Sequence, residues 1–217
     1  PELIKYVFLD ENLAGEDLAL PGIETFLLDA RLFKSISTTE NPQGMSAILK
    51  IPDWSVEKIA SDKSLLVLLD KVSDPGNMGS IIRSCWALGV SGLLLTPECV
   101  DPYSPKVVRS SMGGVLNLPL FEAVNETMLE QLQSQGYEFL CTGLEEARDY
   151  YSADLTGAKV LVFGSEARGV SAALKSRCSQ TIKIPMKSNV DSLNVAAACA
   201  IIVGEAWGQR NGRSIVQ

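Results

Sequence analysis

Short runs of consecutive apolar residues, each beside turn residues, recur from residue 65 onward and set the strongest constraint on the fold. The purest runs cover residues 65–69, 93–95, 139–141 and 160–163, and a mixed run covers 181–184. Runs this short do not make a helix, whereas continuous apolar strands of this length are typical of a sheet buried on both faces. These segments are therefore predicted to form parallel strands.

Helical patterns separate the predicted strands. Residues 78–89 carry apolar side chains at i, i+3, i+4, i+7 and i+8, counted from Met78, which is the stripe of a helix packed on a core. Residues 125–135 are helical in pattern with Gly136 as a C-cap, and residues 192–207 are apolar nearly all round. The alternation of strands and helices predicts an α/β fold with a parallel sheet flanked by helices.

The N-terminal part of the chain has a different pattern. Residues 1–52 contain two short apolar runs, at 6–9 and 45–49, separated by a stretch rich in Asp, Glu, Ser and Thr. A proline and clustered polar residues then indicate a linker over 53–64. The predicted organisation is a partial N-terminal domain over 1–52, this linker, and a main domain over 65–217.

The 217-residue chain contains no histidine, which excludes several classes of active site. No Ser-His-Asp triad, Cys-His dyad or histidine-ligated zinc site can form, so proton transfer has to use carboxylates, Lys, Arg, Tyr, Cys or water. The five cysteines are far apart and include no CxxC pair, which argues against a disulfide framework and a thiolate metal cluster. We expect no metal.

The same composition bears on where the protein works. Unpaired cysteines indicate a reducing intracellular compartment, either the cytoplasm or an organelle if a targeting segment has been removed. The longest strongly apolar stretch, residues 195–203, is too short to span a bilayer, so no membrane partner is expected.

Three polar loops follow predicted strands, at residues 74–79, 163–171 and 184–194. Taken singly, each loop has a purely structural interpretation as a turn, a helix cap or an ion pair. In the third loop, Ser192 or Asp191 is expected to N-cap the last helix and Asn194 to lie in its first turn. Ligands of α/β proteins bind at the carboxyl ends of the strands, so the three loops together predict a ligand site there.

The three loops resemble, in order and separation, the three sequence motifs of the SpoU family of RNA ribose 2'-O-methyltransferases, within the SPOUT superfamily. Residues 74–79, with Arg83 and Gly89, resemble the first motif. The second and third motifs are matched by residues 161–169 and 184–194. Residues 110–114 also fit a serine-glycine segment of the family. The resemblance covers roughly residues 65–208.

The resemblance implies a fold and a set of ligands. It implies a deep trefoil knot at the C-terminal side, S-adenosylmethionine (AdoMet) as methyl donor, and a homodimer whose site is completed across the interface. It also implies that residues 1–52 are the latter half of a small α/β RNA-binding domain similar to a ribosomal-protein fold. The cofactor-binding residues that it implies are Thr142, Gly143, Gly164, Ile184, Met186 and Leu193.

The resemblance further assigns catalytic roles. Arg83 faces the ribose hydroxyl, and the residues that organise the site are Asn77, Glu166, Ser192 and Asn194. Arginine is a poor base because its pKa lies above about 12. Arg83 is therefore expected to orient the hydroxyl and the neighbouring phosphate, with Glu166 fixing the geometry of its guanidinium group.

The identity of the RNA stays open at this point. The segment similar to a ribosomal protein favours ribosomal RNA, with transfer RNA as the second candidate. The net charge of -7 argues against general nucleic-acid affinity, although a local phosphate-binding face can still form from Arg83, Lys106, Arg109, Lys183 and Lys187. The alternative is that these cations are ordinary solvated surface.

Two other functions compete with methyl transfer. One is a non-catalytic RNA-binding factor with the same fold. This function predicts that the motif residues have been replaced, but the chain retains them. The other is a nucleotide-dependent dehydrogenase, which requires a GxGxxG turn followed by an acidic residue, and the chain has no such motif.

Overall fold

The structure is a computed structural model that describes residues 2–13, 20–55, 63–165, 167–190 and 192–212. The chain divides into two compact units, Pro1–Asp53 and Trp54–Gln217. Much of the predicted linker, residues 56–62, lies outside the described residues, and Trp54 within it packs on the core of the second unit. In the part of the chain that is described, no helix is long and apolar enough to cross a membrane.

The first unit is a three-stranded sheet with one helix. Its elements are β1 (Ile4–Asp10), β2 (Glu24–Leu28), α1 (Ala30–Ile36) and β3 (Met45–Leu49). The strand order is β2-β1-β3, with β1 parallel to β2 and antiparallel to β3. Asp29 caps α1 by accepting a hydrogen bond from the Leu32 amide, and Phe33 of α1 is buried. The two predicted apolar runs are β1 and β3, while β2 and α1 lie in the polar stretch where no element was predicted.

The second unit is built on one parallel sheet. Its elements are β4 (Leu65–Asp70), α2 (Pro75–Ala87), β5 (Gly92–Leu95), α3 (Pro105–Ser110), β6 (Leu120–Phe121), α4 (Glu126–Ser134), β7 (Glu138–Thr142), β8 (Arg148–Asp149), β9 (Lys159–Gly164), α5 (Ala172–Lys175), β10 (Gln180–Lys183) and α6 (Val195–Arg210). Within the described residues, seven strands lie in the order β6-β5-β4-β9-β7-β10-β8, and every neighbouring pair is parallel.

The burial of the central strands explains their unbroken apolar sequence. All six residues of β4 are buried, and its five apolar residues alternate between two cores on opposite faces of the sheet. Apolar residues of α2 and α6 pack in the core on one face, and those of α4 pack in the core on the other. The predicted α/β class, with a parallel sheet flanked by helices, is therefore confirmed. The trefoil knot stays a prediction.

Candidate cofactor and substrate site

The strand order brings the motif loops to one edge of the sheet. Strands β4, β9, β7 and β10 are consecutive neighbours and all parallel, so the loops that follow them leave from the same side. Two cavities lie at this edge. One is apolar, between the loops after β7 and β10 and the first turns of α6, and the other is polar, at the ends of β4 and β9.

The apolar cavity has a volume of about 150 Å³. Five of the six predicted cofactor-binding residues line it: Thr142, Gly143, Ile184, Met186 and Leu193. The predicted catalytic residue Ser192 lines it as well. The Thr142 hydroxyl donates a hydrogen bond to the Val162 carbonyl oxygen at 3.1 Å, which ties the end of β7 to β9. The third motif and the segment after β7 therefore meet in space, 40 residues apart in sequence.

Sequence reasoning did not identify two residues that form one wall of this cavity. Ala198 and Ile202 of α6 line it, one and two helical turns beyond Asn194. Their spacing of four places them on one side of the helix. This spacing is the sequence pattern that could have identified the two residues. Because α6 is apolar nearly all round, the pattern does not distinguish their face of the helix from the others.

Gly164, the sixth predicted cofactor residue, does not line the apolar cavity. It ends β9, where the chain turns back so that Ser165 and Gly169 form an isolated antiparallel bridge, with the Gly169 amide 2.8 Å from the Ser165 carbonyl oxygen. A Cβ atom at Gly164 would lie 1.9 Å from the carbonyl carbon of Gly169. Its observed role is to let the second-motif loop fold against the strand, and its contact with a cofactor stays a prediction.

The polar cavity has a volume of about 340 Å³. Its polar lining comes from the β4–α2 loop and the second-motif loop, namely Lys71, Ser73, Asp74, Asn77, Ser165 and Arg168, with Glu98 from a third segment. Asp74 caps α2, since its carboxylate accepts a hydrogen bond from the Asn77 amide at 2.7 Å. The first and second motifs therefore both contribute to one hydrophilic cleft.

A pair of asparagines lies between the two cavities. The Asn194 side-chain amide donates a hydrogen bond to Asn77 Oδ1 at 2.9 Å. Asn77 lines the polar cavity, and Ser192 and Leu193, immediately before Asn194, line the apolar one. The pair thus joins the first and third motifs at the boundary of the two sites.

The cap of α6 corrects one prediction. Asn194 is the N-cap residue, since its Oδ1 accepts hydrogen bonds from the amides of Ala196 at 3.0 Å and Ala197 at 3.3 Å. The expectation that Ser192 caps the helix was wrong because the loop after β10 continues for two more residues, to Asn194, before the helix begins. Asp191, the other expected cap, lies outside the described residues.

The structure does not bring Arg83 into either cavity. Arg83 lies on α2, six residues beyond Asn77, where its side chain is exposed and lines neither cavity. The serine-glycine segment packs beside it, because a Cβ atom at Gly114 would lie 3.5 Å from the Arg83 Cα atom. Glu166 lies outside the described residues, so its pairing with Arg83 stays a prediction.

Two cysteines on the α4 face of the sheet shift each other's pKa. A hydrogen bond from Cys178, assisted by Thr181 and by the positive charge of Lys175, lowers the pKa of the Cys141 thiol to about 6. The same contact, together with burial, raises the pKa of Cys178 far above that of an ordinary thiol. Cys141 and Cys178 pack with the core on the α4 face of the sheet, whereas Ile202 of the apolar cavity belongs to the core on the other face, so this thiol pair is not part of the cavity.

Comparison with known proteins places this geometry in a family. The profile of the SpoU rRNA methylase family matches residues 64–204. The chain is 30% identical over 204 residues to the 23S rRNA (guanosine-2'-O)-methyltransferase RlmP of Bacillus subtilis, covering 94% of this chain and 80% of that protein.

Solved structures agree with the sequence match. The SpoU methyltransferase AviRb of Streptomyces viridochromogenes in complex with AdoMet superposes with a TM-score of 0.86 and 29% identity, covering 97% of this chain and 84% of that chain. An AdoMet-bound rRNA methyltransferase from Sinorhizobium meliloti superposes with a TM-score of 0.82 and 30% identity, covering 97% and 81%. The chain belongs to the SpoU rRNA methylase family.

Proposed function

We propose that this chain transfers a methyl group from AdoMet to a ribose 2'-hydroxyl of RNA, with large-subunit ribosomal RNA as the substrate. The observation that carries the proposal is the arrangement of two unlike cavities that meet at the Asn77–Asn194 pair. An apolar cavity suits a nucleoside, and a polar cavity suits a sugar and its phosphates. The name of the Bacillus subtilis relative, a 23S rRNA 2'-O-methyltransferase, supports the choice of RNA.

The residues present fit AdoMet in the apolar cavity. Aliphatic side chains and Met186 offer faces for an adenine ring, and the loops after β7 and β10 bring backbone amide and carbonyl groups beside them. The turn after β7 leaves little room for a side chain at Gly143, since a Cβ atom there would lie 3.0 Å from the Thr181 methyl group. When bound, AdoMet supplies a methyl group on a positively charged sulfur atom.

The chain's own residues then act by positioning. Asn194 holds Asn77 through its amide, so the first-motif loop and the start of α6 keep a fixed separation. A fixed separation holds the ribose hydroxyl in line with the methyl group, and alignment of this kind lowers a reaction barrier by several kcal/mol. Arg83 is assigned to orient the hydroxyl and the adjacent phosphate through its fork of N–H donors. Ser192 and Glu166 complete the proposed catalytic set.

We also propose that the protein acts as a homodimer in the cytoplasm. Helices α2 and α6 pack together and expose large apolar side chains, among them Trp86, Ile201 and Trp207. Exposed apolar side chains on adjoining helices are typical of a surface that another protein covers. Because Arg83 lines neither cavity of its own chain, its assigned role requires the partner's site. The first unit, Pro1–Asp53, is assigned to binding the RNA.

Methyl transfer is tested directly with labelled AdoMet. The chain is incubated with [methyl-³H]AdoMet and an unmodified in vitro transcript of 23S rRNA, and nuclease digests are analysed by mass spectrometry. The expected product is one 2'-O-methylated nucleoside. Transfer to bulk tRNA alone would replace the proposed substrate, and tight binding of the transcript without transfer would support the non-catalytic RNA-binding factor.

A substitution at Asn194 can separate its structural role, capping α6, from its proposed catalytic role, holding Asn77. An Asn194→Asp variant keeps the cap of α6, because aspartate caps a helix as well as asparagine does. The variant lacks the side-chain amide that donates a hydrogen bond to Asn77, and it places a carboxylate opposite the Asn77 side-chain oxygen. We expect kcat to fall about tenfold or more while the melting temperature changes by less than about 2 °C.

The matched control is Asn125→Asp, which alters the N-cap of α4 in the same way, away from both cavities. This variant should retain full turnover. Equal losses of activity in the two variants would contradict the positioning role of Asn194.

A further inference from the structure

Lys71 has a backbone conformation that is unusual for its residue type. It follows β4 directly with a φ of +60°, in the left-handed region that lysine rarely adopts. Its amide donates a hydrogen bond to the Thr96 hydroxyl at 3.0 Å, and its ammonium group forms an ion pair with Glu98 at 2.5 Å. Both partners belong to the segment that follows β5, so this strained residue is held from the neighbouring strand.

Stability does not explain why a lysine occupies this position. The Lys71 and Glu98 side chains are 35% and 61% exposed, and exposed ion pairs contribute little to folding. Glycine would adopt the same backbone conformation without strain. The ion pair does not offset the energetic cost of the strained backbone, which indicates that the Lys71 side chain has a function.

The location of Lys71 indicates what that function is. Lys71 and Glu98 line the polar cavity together with Asn77, and Arg168 lines the same cavity from the second-motif loop. Among its described residues the cavity has two cations, Lys71 and Arg168, and two carboxylates, Asp74 and Glu98. Asp74 is engaged in the cap of α2, where it accepts a hydrogen bond from the Asn77 amide, whereas Glu98 is exposed. Glu98 is therefore the carboxylate that an incoming anion can replace at Lys71.

We propose that Lys71 binds an RNA phosphate next to the target nucleotide, and that Glu98 occupies the place of this phosphate until the RNA arrives. The inference rests on the proposed function and extends it to one positioning residue outside the three motifs. When RNA enters, the ammonium group exchanges the Glu98 carboxylate for a phosphate oxygen, and no covalent bond changes. Lys71 thereby fixes the register of the RNA backbone without touching the reacting atoms.

The test uses substitutions with opposite expected effects on stability and on RNA affinity. Lys71→Gly relieves the backbone strain and removes the cation, so it should raise the melting temperature by about 2–4 °C. It should also weaken binding of the 23S rRNA transcript, measured by filter binding, about tenfold. The slope of log affinity against log salt should fall by about 0.7–0.9, as expected for one lost phosphate contact.

Three further variants sharpen the comparison. Ala123→Gly is the matched control, because Ala123 is exposed, has a φ of +52° and lines neither of the two site cavities. It should stabilise the protein by a similar amount with no change in RNA affinity. Lys71→Arg should retain most of the affinity, and Glu98→Gln, which removes the competing carboxylate, should strengthen binding about threefold.

The outcomes separate this inference from the proposed function. Unchanged RNA affinity and salt slope in Lys71→Gly would overturn the phosphate contact even if the wild-type chain methylates the transcript. Loss of affinity in Lys71→Gly without any methyl transfer by the wild type would support the contact and reject the proposed reaction. Calorimetric titration of AdoMet should give the same affinity for all variants, and a change there would indicate a structural role for Lys71.

Discussion

Replacing Gly164 with alanine should prevent formation of the site and destabilise the second unit by more than about 3 kcal/mol. The added Cβ atom would lie 1.9 Å and 2.1 Å from the carbonyl carbon and oxygen of Gly169, and 2.2 Å from the Val170 nitrogen. All three are backbone atoms, so no side-chain rotation relieves the clash. Either β9 or the second-motif loop has to move.

Movement of this loop would change the polar cavity and, through the predicted contact of Gly164 with the cofactor, the binding of AdoMet. Ser165, Ala167 and Arg168 line the polar cavity directly. The loop is also anchored to the central strand, because the buried carboxylate of Asp70 accepts a hydrogen bond from the Ser171 amide at 2.7 Å. We therefore expect a large fall in melting temperature, measured by calorimetry, and loss of AdoMet binding in a titration of any folded fraction.

Gly169→Ala provides the matched control for Gly164→Ala. Gly169 has a φ of +63°, but a Cβ atom there meets nothing within 4 Å. Its substitution should cost only about 1 kcal/mol, the usual penalty for alanine in the left-handed region. A Gly164→Ala variant no less stable than Gly169→Ala would show that the loop does not close against β9 as described.

The sequence was sufficient to predict those strands and helices whose residues follow a recognisable pattern of apolar side chains. The buried strands β4, β5, β7 and β9 were identified because continuous apolar runs bounded by turns occur in few other settings, and β10 was identified from a mixed run. The edge strands β6 and β8 have two residues each, too few for any periodicity. Strand β2 and helix α1 were missed because α1 buries only Phe33 and most of β2 is exposed.

Residues of the site could be predicted where a sequence motif marks them. They could not be predicted where only the packing of the folded chain brings them to the site. Thr142, Gly143, Ile184, Met186 and Leu193 line one cavity, while their contact with a cofactor stays a prediction. Ala198 and Ile202 were missed because nothing distinguishes them from the other apolar residues of α6. Lys71 was missed because a backbone angle and an ion pair with a residue 27 positions away leave no trace in the sequence around it.

Substitution of Arg83 by alanine should lower kcat by about 10³-fold while leaving AdoMet affinity and stability unchanged. The side chain is exposed and lines neither cavity, so its loss creates no void and removes no cofactor contact. Arg83→Lys keeps the charge but loses the fork of donors, and should recover only part of the activity. Single-turnover rates with the 23S rRNA transcript measure both effects.

Whether Arg83 acts in its own chain or in a partner can be decided with two variants of reduced activity. Arg83→Ala and Asn194→Asp subunits are co-expressed with different tags. If Arg83 reaches the partner's cavities, each mixed dimer has one site with both native residues, and random pairing restores about a quarter of wild-type activity. If Arg83 acts in its own chain, every site lacks one of the two residues and activity stays at the level of the single variants. Restored activity would therefore establish both the dimer and the shared site. If activity is not restored, Arg83 does not act in the partner's site.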